Sequence, residues 1–239
     1  MSIQAQNFII SSENDIPQPG ANMRQEGKLG TLMNAQGFWV PQTHFVIVPD
    51  IQRAIAKDRK FLFTTSISPC VAVYIWITYG DKNLMALGHF DSGSVDGSPN
   101  MEVEKVFPAL VDMCRNLIIR TGATPGQMYV QSIYGATPDQ SSEFIRAAVR
   151  DSALRRGMNI ALRNVWDNPT TNVKKHGGIR ACTNTAITCS FASGKHYVID
   201  EWKTNTSEEQ NYASHVLANQ SALIHFGRLD NLLSSVGSF

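Results

Sequence analysis

Two side chains in this sequence could together perform nucleophilic chemistry: Cys70 and His89. Cys70 follows Thr64-Thr65-Ser66-Ile67-Ser68-Pro69, a run of small hydroxylated residues ending in Pro, and it begins the most apolar stretch of the chain. A thiol at a loop-to-strand junction can be reached by a substrate, whereas a mid-strand thiol cannot. By residue type alone an ordinary half-buried cysteine is the plainer reading. His89 separates the two. An imidazole beside a thiol accepts its proton, and the resulting ion pair lowers the thiol pKa. Such a pair needs a third group to orient the ring. Thr64, Thr65 and Asp91 are the local candidates.

The elements around these residues decide whether they can meet. Residues 61–65 and 71–79 are rich in Val, Ile, Tyr, Phe and Thr and read as strands. Gly80-Asp81-Lys82-Asn83 is turn chemistry, and Leu84 to His89 returns as the second arm of a hairpin. A turn centred on residues 80–82 sets Cys70 against Asp91, with His89 two places back on the same face. Diagonal neighbours in such a ladder lie about 7–8 Å apart, a gap that an imidazole largely spans. A slip of one residue would put the two side chains on opposite faces.

The other cysteines carry less. Cys114 occupies the apolar stripe of a helix and reads as core. Cys182 and Cys189 are seven apart on one predicted strand and so point to opposite faces. With His176 and His196 nearby they still make no zinc site. No GxGxxG, phosphate loop or HExxH motif occurs, so the sequence predicts neither cofactor nor metal.

Residues 1–42 are rich in Asn, Gln, Ser, Gly and Pro and read as a partly ordered N-terminal extension, with Phe38-Trp39-Val40 as a docking point on the core. Phe45–Val48 is a short strand closed by Pro49, followed by a helical turn or two over 50–59. The spacing of Val103, Val106, Phe107, Leu110, Val111, Cys114, Leu117 and Ile118 predicts a helix, which Pro108 should kink or split. Met128–Tyr134 is a strand. Thr137-Pro138-Asp139-Gln140 is a capping box that opens a helix ending at Gly157. Asn159–Trp166 alternates as a strand, and 180–191 with 196–202 forms a hairpin. Residues 207–235 predict an amphipathic helix, or a helix pair broken near Gly227. The expected fold is a single α+β domain over residues 43–204, a mostly antiparallel sheet or sandwich core flanked by helices, with a C-terminal helical segment at 205–239 packed on it.

Composition narrows the function. Lys and Arg number 21 against 20 Asp and Glu, so the net charge of +1 lacks the basic footprint of a nucleic-acid-binding protein. The longest apolar run, Cys70–Ile77, is far shorter than the roughly 20 residues of a membrane-spanning helix. No basic residue precedes the Phe8-Ile9-Ile10 cluster, so no signal peptide is expected. Four cysteines without CxxC pairs suit a reducing compartment.

At the cysteine turn the chain resembles a family: the bacterial glutamine deamidases that include the chemotaxis deamidase CheD, the cytotoxic necrotizing factor catalytic domain and the Burkholderia lethal factor. Their signature is a Leu-Ser-Gly-Cys or Leu-Gly-Ser-Cys turn, with a Thr six places earlier in some members and a later His. Here the turn reads Ile67-Ser68-Pro69-Cys70, with Thr64 six before and His89 nineteen after. Cys70-Val71-Ala72-Val73, Gly88-His89-Phe90 and Ile133-Tyr134-Gly135-Ala136 also look like CheD, as does a Gly-Gly loop before Arg180 that leads into a hairpin turned at Ser193-Gly194. The resemblance covers roughly residues 44–200. It departs at Pro69, where the family has Gly; proline has no N–H, so the Cys70 N–H with Ser68 would have to hold the oxyanion.

The resemblance implies a CheD-like fold and a protein-glutamine deamidase using Cys70 as nucleophile, His89 as acid and base, and Thr64 to orient the ring through its carbonyl or hydroxyl. It implies a protein substrate presenting an exposed Gln, no cofactor, and a monomer. The Ser two places before Cys70 and the unmatched ends suit a toxin or effector acting in a host cytosol. A CheD-type chemoreceptor deamidase in the bacterial cytoplasm is one alternative. A catalytically inactive binding module of the same fold, which Pro69 favours, is the other.

Overall fold

Alternation and turn chemistry divide the chain into ten strands and four helices among the described residues, which in this computed structural model are 37–64, 67, 70–91, 102–134, 140–164, 186–192, 194, 196–199 and 222–235. In chain order these are β1 (Gly37–Trp39), β2 (His44–Val48), α1 (Ile51–Ile55), β3 (Phe61–Thr64), β4 (Val71–Tyr79), β5 (Lys82–Phe90), α2 (Val103–Ile119), β6 (Met128–Tyr134), α3 (Gln140–Arg155), β7 (Asn159–Asn164), β8 (Ala186–Ser190), β9 (His196–Ile199), β10 (His225–Arg228) and α4 (Leu232–Ser235).

The strands form two sheets, β1-β3-β8-β9 and β10-β2-β5-β4-β6-β7. All pairings are antiparallel except β1 with β3 and β6 with β7. The chain is therefore α+β, with mostly antiparallel sheets, as its strand and turn pattern predicts.

β4 lies inside the larger sheet and is apolar almost without interruption, because both of its faces are covered. Its odd-numbered residues, Val71, Val73, Ile75 and Ile77, pack with Val106, Phe107, Leu110 and Cys114 of α2 and with Ile145 and Val149 of α3. Its even-numbered Ala72 and Tyr74 pack with Val46, Val48, Met85 and Leu87, and with Phe38, Leu62, Cys189 and Phe191 from the smaller sheet. One core thus lies under the helices and the other between the two sheets. Each large apolar side chain fully buried in them contributes about 1.5–3 kcal/mol.

The β4–β5 hairpin sets the register that matters most. Tyr79 pairs with Lys82, so only Gly80 and Asp81 form the turn, and every pair from there to Val71 with Phe90 is in step. Gly80 has φ +53°, the positive value required at the first central position of the two-residue turn that suits strand twist.

Three local readings change in the folded chain. α2 runs through Pro108 as one 17-residue helix. The lost hydrogen bond lies near the N-terminal end, and the buried stripe continues across it through Phe107, Leu110 and Val111. Phe38 and Val40 are fully buried: β1 is a strand of the smaller sheet, paired in parallel with β3.

The third is a correction. Residues 225–228 are not helical; they form β10, antiparallel to β2, with Gly227 opposite Phe45. The outer edge of β2 has backbone donors and acceptors to satisfy, and the alternating exposure of 225–228 suits an edge strand. The remainder of the predicted helical segment, through residue 221, lies outside the described residues, as do Thr137–Asp139 of the capping box and Cys182. The far end of α3 is as expected: Gly157, at φ +65°, donates to Leu154 and Met158 donates to Ala153, closing the helix.

Replacing Gly80 with Val forces a β-branched residue into positive φ. It is expected to lower stability by about 1–3 kcal/mol, read as an earlier urea midpoint at unchanged slope.

Candidate functional site

The hairpin register decides which face His89 occupies. His89 pairs with Ala72, so its side chain enters the inter-sheet core that holds Ala72 and Tyr74. Cys70 immediately precedes β4, two residues from Ala72, and so lies on the same face. Its Sγ donates to Asp91 Oδ1 at 3.4 Å, which places Cys70 opposite Asp91 as the alternation predicts. Both candidate residues are buried, Cys70 to 4% exposure and His89 to 1%.

Thr64 comes from the other sheet. It is the last residue of β3, fully buried, and its Oγ1 lies 2.8 Å from His89 Nδ1 and 2.7 Å from the carbonyl oxygen of Val40. A hydroxyl has one proton to give. A carbonyl can only accept, so that proton goes to Val40, and Thr64 Oγ1 must accept from His89. Nδ1 of His89 therefore carries the ring proton. In the neutral ring Nε2 is then the bare acceptor, and it is buried without a hydrogen bond among the described residues.

Burial is the largest influence on His89 and pushes its pKa down to about 4. The nearby Asp91 carboxylate opposes this, and His44 adds to it. At neutral pH the ring is uncharged. The resting site therefore does not hold the imidazolium–thiolate pair expected of an adjacent Cys and His: the Cys70 proton points to Asp91, and Nε2 of His89 stands open. A neutral ring tethered at Nδ1 with a free lone pair at Nε2 is a Brønsted base awaiting a proton.

The turn from Val40 to His44 closes the site from the N-terminal side. Val40 N–H donates to the Phe63 carbonyl at 2.8 Å, fixing Val40 beside β3. Thr43 N–H donates to the backbone carbonyl of His89 at 3.0 Å, and His44 Nδ1 lies 2.7 Å from the Gln42 carbonyl. Thr43 takes φ +63°, a conformation that costs a β-branched residue about 1–3 kcal/mol. The turn brings the Gln42 carboxamide to Cys70, with Nε2 4.0 Å from Sγ.

Of the predicted site residues, Thr64 holds the His89 ring through its hydroxyl, and Cys70 lies on the same face of the sheet. Asp91, a candidate for that role, bonds the thiol instead. Ser68 and Pro69, and with them the turn expected to hold an oxyanion, lie outside the described residues, as does Thr65. Gln42 and Thr43 carry no local signal in the sequence, where they follow the apolar Phe38-Trp39-Val40 docking point at the end of a polar, aperiodic stretch.

The other cysteines of the described part are inert. Cys114 and Cys189 are fully buried, and burial pushes both thiols up in pKa. Among the described residues no cluster of His, Cys, Asp or Glu could hold a metal ion, and no helix is long and apolar enough to cross a membrane. In comparisons with known proteins, no family model and no curated protein matches the chain.

The depressed pKa of His89 gives a pH test. From about pH 6.5 down to about 4 the unfolded chain binds a proton at this ring and the folded chain does not. Its stabilising contribution is complete above that window and declines as pH falls through it, by about 3 kcal/mol in all. Urea unfolding at a series of pH values is expected to show this slope in the wild type and its loss in His89→Gln.

Proposed function

We propose that the protein is a cysteine-dependent protein-glutamine deamidase, a toxin or effector that converts a Gln of a host protein to Glu. The carrying observation is the Thr64–His89 hydrogen bond, which fixes the tautomer of a neutral buried ring and leaves Nε2 open on the face that holds Cys70. The same three residues, in the same order along the chain, form the signature of the deamidases that the cysteine turn resembles. An α+β sandwich flanked by helices is also the architecture that this likeness implies.

His89 Nε2 takes the Cys70 proton, and Sγ adds to the side-chain amide carbon of the substrate Gln, whose oxygen becomes an oxyanion. The carbonyl re-forms as the C–N bond breaks, and the proton on Nε2 goes to the departing nitrogen, so ammonia leaves and a thioester remains. Water then attacks the thioester carbon, giving its proton to Nε2. The C–S bond breaks, Glu is released, and the thiol recovers its proton. No metal or cofactor is required. The product carries a negative charge where the substrate had a neutral amide, enough to disable a switch or interface built on that amide.

A second reading has its own support. Cys70 is 4% exposed with its thiol donating to Asp91, and Pro69 removes an amide that the related turn supplies. These features favour a binding module that keeps the fold without activity.

Iodoacetamide separates the two readings. A nucleophilic Cys70 is expected to alkylate far faster than Cys114 or Cys189. His89→Ala should slow this at least roughly hundredfold, and Thr64→Val by a smaller factor. Uniform slow labelling would favour the binding module. The substrate class is read by mass spectrometry of host-cell lysate exposed to wild type and to Cys70→Ala. Gln-to-Glu conversion dependent on Cys70 supports the effector reading. Conversion confined to a purified methyl-accepting chemoreceptor would reassign the enzyme to chemotaxis, and no conversion of either would overturn the deamidase.

A further inference from the structure

We infer that Gln42 supplies the oxyanion donor of this site: its side-chain N–H binds the oxygen that turns negative when Cys70 adds to a carbonyl carbon. The inference rests on the reading of Cys70 as a nucleophile and adds a side-chain donor to the Cys70 N–H and Ser68 that this reading already assigns. Pro69, next to the nucleophile, has no N–H to offer. A replacement donor must sit close to the sulfur, because an oxyanion is held by donors about 3 Å from its oxygen, and that oxygen is one bond from the carbon under attack.

Gln42 Nε2 meets this condition. It lies 4.0 Å from Cys70 Sγ with its N–H directed at the sulfur, so the oxygen of an adding carbonyl would enter the space beside both atoms. The side chain is exposed where the sulfur is buried, which puts the carboxamide on the side from which a substrate must arrive. Its position is also fixed by the site itself. Thr43, the next residue, bonds the backbone carbonyl of His89, and the Gln42 carbonyl is engaged by His44. The positive φ of Thr43 is the backbone cost of turning Gln42 toward Cys70. Nucleophile, base and donor are thus tied into one unit: β5 carries the base, β4 follows the nucleophile, and the turn bound to the base carries the donor.

Two reagents with different transition states test this on the full chain. Acylation by p-nitrophenyl acetate passes through an oxyanion: the S–C bond forms, p-nitrophenolate leaves, and Cys70 becomes an S-acetyl thioester. Alkylation by iodoacetamide displaces iodide and forms no oxyanion. In Gln42→Ala, acylation of Cys70 is expected to slow roughly hundredfold or more, with alkylation unchanged. Gln42→Met, close in shape, uncharged and without an N–H, should behave the same way.

Acylation at the wild-type rate in both variants would overturn the donor role. So would equal changes in both reactions, which would make Gln42 only a cover over the thiol. Conversion of Gln42 itself to Glu in the wild type, seen in the mass of its peptide, would make it a substrate and overturn the inference. If wild-type Cys70 takes up neither reagent, the nucleophile reading fails, and this one with it.

Discussion

A single hydroxyl proton organises this site. Thr64 can donate only once, and the Val40 carbonyl, 2.7 Å away, takes that donation. The geometry at 2.8 Å to His89 then leaves one arrangement, with the imidazole proton on Nδ1 and the lone pair on Nε2. A buried hydroxyl flanked by two acceptors would leave one of them unsatisfied, at a cost of about 1–3 kcal/mol. The tautomer is therefore imposed by the chain rather than chosen by a substrate. The same hydroxyl joins the two sheets, because Thr64 ends a strand of the smaller one and His89 lies near the end of a strand of the larger.

Electrostatics at His89 are a contest that burial wins. The Asp91 carboxylate favours a charged ring, yet loss of water around the imidazole outweighs it and holds the group neutral. Asp91 also engages the Cys70 thiol, so one carboxylate touches the fates of both candidate groups. The resting arrangement keeps the thiol proton away from the base. Chemistry at Cys70 would require that proton to leave Asp91 for Nε2.

The scaffold holds these strands in one register. β4 and β5 are buried on both faces, by helices on one side and by the smaller sheet on the other, so neither strand can shift register without turning its apolar set inside out. β1 contributes through position. Its parallel pairing with β3 places Val40 beside Thr64, and the turn that follows passes over Cys70 before β2 enters the larger sheet. The described part of this region thus takes in β1, and with it Val40 and Gln42, ahead of residue 43.

Much of this was written locally. The Gly80-Asp81 turn and the alternation on either side of it suffice to set Ala72 against His89 and to put Cys70 on the same face, because pairing propagates two residues at a time from the turn. The apolar stripe of α2 and the glycine that ends α3 were legible for the same reason: each depends on neighbours within a turn or two. Other features depend on which edges and faces meet. β10 is helical by its apolar spacing and a strand only because the edge of β2 is there to pair with it. Pro108 breaks a helix in isolation, but a stripe buried on both sides of it holds the helix together. Gln42 has no pattern of its own, and Val40 reads only as part of an apolar docking point, since a parallel pairing between β1 and β3 and a turn closed by the backbone of His89 arise only when distant segments are brought together. Residue types and spacing thus determined the candidates for nucleophile and base. The tertiary structure decided the tautomer, the charge and the company they keep, because hydrogen-bond capacity and the cost of burying charge are settled by everything packed around a group, wherever it comes from along the chain.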